Sequence, residues 1–141
     1  MASGFIMTRL TATVMDVHGS RGSSAVAKQW DQLFRLAAHE PRRQLVISLM
    51  DHAEGEWVLL PEAALSEHFD GTRAALEIEL RHQHLPLMAT HNIVHWRDEP
   101  LEATRGPDFE EMASLLRTLQ KSADLLPPRL VDGCRLLEDG R

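Results

Sequence analysis

The stretch "TRAALEIELRHQHLPLMATHNIVHW", residues 72–96, constrains the fold of this chain more than any other. With Leu80 at 0° and about 100° per residue, Leu76, His84 and Leu87 fall within about 40° of it. Met88 lies near 80°, and Ile78 and Leu85 near 140–160°. The opposite arc carries Thr72, Ala75, Glu79, His82, Gln83, Pro86 and Thr90. This pattern predicts one helix over 72–91. Pro86 removes a backbone donor, which costs ~3 kcal/mol if nothing compensates. The helix therefore either kinks there or ends near Gln83 and restarts with Pro86 in its first turn. Asn92 tolerates the left-handed conformation that ends helices. Ile93, Val94 and Trp96 then favour a strand.

Four of the eight histidines lie in this stretch. The projection sends His82 and His84 to different faces. Asn92 separates His91 on the helix from His95 on the strand, so their four-residue spacing is not ligand spacing. The reading is no metal site and no cofactor, with His84 a core-edge histidine bonded to backbone. No nucleophile motif, phosphate loop or dinucleotide fingerprint appears, so no catalytic residues are assigned.

The remaining elements follow from turn residues and periodicity. Residues 1–24 end in "HGSRGSS" and read as a flexible arm with a possible short strand near residues 10–14. Ser24 caps a first helix with an apolar stripe of Val26, Trp30, Leu33 and Ala37. Pro41 opens a second helix whose buried face is Leu45, Val46, Leu49, Met50 and Ala53, with Arg42 and Arg43 at its exposed start. "WVLL" is a short strand. "PEAALSEHF" is a third helix, and "DG" at 70–71 is a tight turn before the fourth. A short helix, a turn containing glycine and a longer helix form the helix-turn-helix order. "NIVHW" and "LEATR" around "RDEP" read as a β-hairpin, a wing.

Asp108 with Glu111 three residues on forms a capping-box pattern for a last helix. Its seam, Phe109, Met112, Leu116, Leu119 and Ala123, has coiled-coil spacing. It packs either on the first helix of its own domain or on a second copy as a homodimer interface. The organisation is thus an arm (1–24), a winged helix-turn-helix domain (25–126, last helix about 107–126) and a frayed tail (127–141). The fold class is mainly α with a small β-hairpin.

Composition limits the function. Apolar residues make up 43% of the chain, Tyr is absent, and the core must be largely aliphatic. One cysteine, Cys134, permits no internal disulfide and suits a reducing, cytoplasmic setting. Arg9 and Asp16 interrupt the opening residues, which do not read as a signal peptide, and no run suits a membrane span. The formal charge of −6 works against nucleic-acid binding, where phosphate neutralisation supplies much of the affinity. A local face could still bind double-stranded DNA. Thr72, His82 and Gln83 would meet groove edges or phosphates, Arg73 lies at the helix start, and Arg97 and Arg105 sit on the wing strands. Glu79, Asp98 and Glu99 favour instead a protein-interaction module. A regulator that senses a metal or ligand through its histidines is a third class.

"HLPLMATHNIV" resembles a signature of winged helix-turn-helix regulators. "RRQLVISL" followed by "HQHLPLMATHNIVHW" is similar to an uncharacterised winged-helix domain family frequent in halophilic archaea, with an R-R start and an H-x-H-L-P-K-L core. The resemblance spans about residues 33–119. Its most specific residues are His82, His84, Leu85, Pro86, Ile93, Val94 and Trp96. It implies a winged-helix fold, a DNA-binding or transcription-regulatory role and no catalytic residues. The chain departs from that pattern at Leu87, where the family carries Lys, and at Asn92, where it carries Gly.

Overall fold

The computed structural model describes residues 17–138, with side chains described from Ser24. The expected strand near residues 10–14 lies outside the described residues. The chain divides into two compact units, Met1–Arg35 and Leu36–Arg141.

In the first unit, helix α1 (Val17–Ala37) begins well before Ser24, so the end of the expected flexible arm is helical. Once a helix has nucleated, adding residues costs little, so the helix from Ala25 can extend back through Gly22 and Gly19 despite their poor propensity. In the expected apolar stripe Val26 and Trp30 are 56% and 45% exposed and Leu33 and Ala37 half-buried, and the neighbouring Phe34 is 61% exposed.

The second unit begins with α2 (Glu40–Met50), with Pro41 in its first turn as expected. Leu45, Val46 and Leu49 are fully buried. Ala53 lies past the helix end and is exposed. Strand β1 (Val58–Leu59) follows. The expected third helix is only a 3-10 turn, Glu62–Ala64. Leu65 is extended, and the Ser66 hydroxyl accepts from the His68 N–H and donates to Glu40. A serine side chain that captures local backbone in this way competes with helix continuation.

The central helical segment contains α3 (Arg73–Glu79), a π turn (Leu80–His84) and α4 (Leu85–Thr90). Thr72 caps α3, its hydroxyl accepting from the Ala75 N–H at 3.0 Å. The π turn resolves the Pro86 problem. Its widened loop bonds the Leu85 N–H to the Leu80 carbonyl, and Pro86 falls in the first turn of α4. One extra residue in a turn makes everything after it lag by about 100°. That brings Leu85, predicted off the apolar arc, to full burial with Met88. Leu87, predicted on it, is only half-buried.

Helix α4 ends at Asn92, whose φ of 60° is the left-handed stop anticipated from the sequence. Asn92→Ala is therefore expected to lose about 1 kcal/mol, because a Cβ without a local polar side chain is disfavoured in that conformation. Asn92→Gly is expected to stay within about 0.5 kcal/mol of the parent in urea titration.

Strands β2 (Val94–Arg97) and β3 (Glu102–Arg105) form the expected hairpin, with Trp96 opposite Ala103 and Arg97 opposite Glu102. Strand β1 adds to the other edge of β3, Val58 opposite Ala103, so the antiparallel order is β1-β3-β2. The second unit is thus helices around a small three-stranded sheet.

Helix α5 (Phe109–Lys121) starts without the predicted capping box. The Asp108 N–H donates to the Asn92 carbonyl at 2.8 Å and its backbone is not extended, so its side chain makes no cap bond. The seam turns inward: Phe109, Met112, Leu116 and Ala123 are at most 2% exposed, and α5 packs on α2. The seam is thus intramolecular, packed on α2 where the sequence points to the first helix, and these four side chains are not available to a second copy. Leu119 is half-buried. The expected frayed tail is also part of the unit up to residue 138. Helices α6 (Pro128–Val131) and α7 (Arg135–Glu138) bury Val131, Leu136 and Leu137, and α7 packs on α2 and α5. Three apolar residues against exposed α2 and α5 surface suffice to hold two short helices that would not form alone.

Candidate nucleic-acid interface

The outward face of α3 and the π turn carries Ala74, Ala75, Ile78, Glu79, His82 and Gln83, all exposed. The hairpin is tied to this face. The Arg81 Nε donates to both Asp98 oxygens, at 3.1 and 3.0 Å, while Glu77 stands 3.9 Å from the same guanidinium. The predicted Glu77–Arg81 pair is thus the looser of two contacts. The Arg81 hydrogen bond holds the Asp98 carboxyl below its usual range, and the same bond raises Arg81.

The six residues singled out for DNA separate into three groups. His82 and Gln83 are exposed and close together on the outward face. Thr72 is engaged as the α3 cap. The arginines are all engaged. Arg73 pairs with Glu62, whose carboxyl is lowered first by a backbone N–H and then by Arg73. Arg97 pairs with Glu102 and stacks 3.8 Å above the Trp57 ring. Arg105 donates to the carbonyls of Leu49 and His52 at the end of α2, the latter at 2.7 Å, and lies over Phe109. Arg105 therefore caps α2 and does not reach a wing surface, a role invisible without the tertiary contact. Arg73 differs from it: its pair with Glu62 is exposed on both sides and weakened by solvent, so an incoming phosphate can replace the carboxylate. Glu102 is buried, so Arg97 stays with it.

Behind the outward face lies a polar cluster that the sequence reading placed wrongly. His84 is 1% exposed, and its partners are side chains rather than backbone. The Arg42 Nε donates to its Nδ1 at 3.0 Å. That bond leaves the proton on Nε2, which lies 3.3 Å from Glu79 Oε1. The His39 ring sits 5.7 Å away. Burial lowers the His84 pKa most, the Glu79 hydrogen bond opposes it, and the charges of Arg42 and His39 add to the lowering. Arg42, expected at an exposed helix start, is 3% exposed. The widened π turn sets His84 toward α2, where only a long donor such as arginine reaches it. Nothing in the spacing of residues 42 and 84 announces this.

The other histidines of residues 72–96 do not converge with it. His82 is exposed, and His91 and His95 lie on either side of the Asn92 stop. A different set does meet at the surface: Glu67, His68 and Glu138 each bring one donor atom within 4.8 Å of the others. The His68 Nε2 to Glu138 Oε1 distance is 3.2 Å. Such spacing suits a divalent ion, and it equally suits the exposed ion pair these groups form with one another. No family model, curated protein or solved structure matches the chain.

Proposed function

We propose that the second unit is a winged-helix module that binds double-stranded DNA as a transcription regulator. The observation that carries this reading is the placement of exposed His82 and Gln83 on a helix face that Arg81 and Asp98 lock beside the β2–β3 hairpin. The order α2, β1, 3-10 turn, α3–α4, β2, β3, with β1 beside β3, supports it. In this reading His82 and Gln83 face base edges, and Arg73 exchanges its carboxylate for a phosphate. Arg105 is not part of the surface.

The test is titration of labelled duplex DNA at several salt concentrations. Binding at low salt should weaken as salt rises, and Arg73→Ala should reduce the salt slope by about 1. Gln83→Ala should relax sequence preference by ~1–3 kcal/mol at one position. Absence of binding at low salt would remove the reading.

A second reading has its own observation. Ile78 is 59% exposed, between Ala74, Ala75 and Glu79, and the nearby arginines already have carboxylate partners. This composition suits a protein-interaction face. Ile78→Lys separates the two. The added cation strengthens DNA binding in the first reading and leaves DNA binding absent in the second.

A further inference from the structure

We infer that α1 is a self-association helix, pairing with α1 of a second copy through Val26, Trp30, Leu33 and Phe34. This rests on the exposed residues of α1 and stands whether or not the second unit binds DNA.

Taking Trp30 as 0°, Val26, Leu33, Phe34 and Ala37 lie within about 60° of it, while Asp31, Arg35 and Lys28 lie at about 100–160°. Spacings of four, three and four through Val26, Trp30, Leu33 and Ala37 are those of a two-helix seam. Val26, Trp30 and Phe34 remain 56%, 45% and 61% exposed, and Leu33 is half-exposed. The Trp30 and Phe34 rings already lie 5.6 Å apart, so the apolar ridge is continuous. An isolated helix carrying such a face is marginal in water and gains stability only when the face is covered.

Two observations favour a second copy as the cover. The other long stripe of this spacing, on α5, is buried and cannot serve. The positions flanking Val26 and Trp30 in the α1 seam, Ala27 and Gln29, are uncharged. A two-fold pair therefore brings no like charges face to face, and the flanks carry no charge pattern with which to select a different partner. The exposed parts of Val26, Trp30 and Phe34 amount to on the order of 300 Å² per copy. Doubled, this falls short of the roughly 1,200 Å² of a stable interface. The pairing is therefore reversible and concentration-dependent.

Sedimentation of the full chain across a wide concentration range tests this. A monomer–dimer equilibrium is expected, with Trp30→Glu and, separately, Phe34→Glu weakening it at least ~30-fold, as for aromatic anchors at an interface centre. Lys28→Glu, on the opposite arc, should leave it unchanged. Circular dichroism shows whether each variant is folded. A chain that is monomeric at every concentration overturns the proposal, whether Trp30 is covered by the chain's own residues or left open. A dimer that survives both glutamate substitutions in folded protein also overturns it, since the interface then lies elsewhere.

Discussion

Replacing Arg42 with Met is expected to lower stability by ~2–3 kcal/mol and the melting temperature by about 10 °C. The substitution keeps the length of the side chain but leaves the Nδ1 of His84, 3.0 Å from the lost Nε, without its donor in a site that is 1% exposed. A buried acceptor deprived of a charged donor loses both the bond and its hydration. The loss of a desolvated guanidinium offsets part of this, which is why the expected cost stays below that of breaking a buried ion pair. In a double-mutant cycle, Arg42→Met with His84→Leu should cost less than the two single changes added together, by at least ~1 kcal/mol. A sum that is simply additive would show that the two residues do not act as a unit.

The same cluster sets a pH dependence whose sign follows from burial. His84 titrates below its ordinary value in the folded chain, chiefly because burial penalises the imidazolium. Between the folded value and the unfolded value near 6.5, the unfolded chain binds more protons. The His84 contribution to stability is thus complete above about pH 6.5 and declines as pH falls through that value toward the folded one. His84→Leu should flatten this part of the profile. Thermal melts from pH 5 to 8, with the imidazole resonances of His84 followed by NMR, measure both.

Gly106→Ala is the second large effect. A Cβ at this position would lie 2.5 Å from the Asn92 carbonyl oxygen and 2.9 Å from the Asn92 and Ile93 carbonyl carbons. These are backbone atoms and cannot swing aside like a side-chain tip. They are also held in place. The Gly106 N–H donates to Ile93 at 2.9 Å and the Asp108 N–H to Asn92 at 2.8 Å. One methyl group must therefore break the closure of the hairpin base on the end of α4. A cost of ~3 kcal/mol is expected, at the upper end for overpacking, with hydrogen-exchange protection lost first in β2 and β3. A melting temperature within 2–3 °C of the parent would contradict this packing.

Residues around Asn92 show what was legible in the sequence. The stop at Asn92 could be read directly, because a left-handed residue between a helical stripe and a β-branched pair is a local matter. So could the hairpin and the divergence of His82 from His84. The third helix, the capping box at Asp108 and the exposure of Arg42 were misread for a shared reason. In each, a partner distant in sequence outcompetes the local preference: Glu40 for Ser66, Asn92 for Asp108, and His84 for Arg42. The π turn is intermediate. Pro86 announced that the helix had to change there, but only the packing of Leu85 and Met88 chose an extra residue over a break.

The sequence by itself determined the periodic faces, the stop signals and a small aliphatic core, because these depend on neighbours within a turn or two. Tertiary structure decided where the polar groups go. It assigned Arg105 to the end of α2, Arg73 and Arg97 to carboxylates, and the seam of α5 to the interior. It also left Val26, Trp30 and Phe34 of α1 exposed. Periodicity marks a face as apolar and a side chain as charged. Only the surface brought against it determines whether that face is covered and which partner that charge meets.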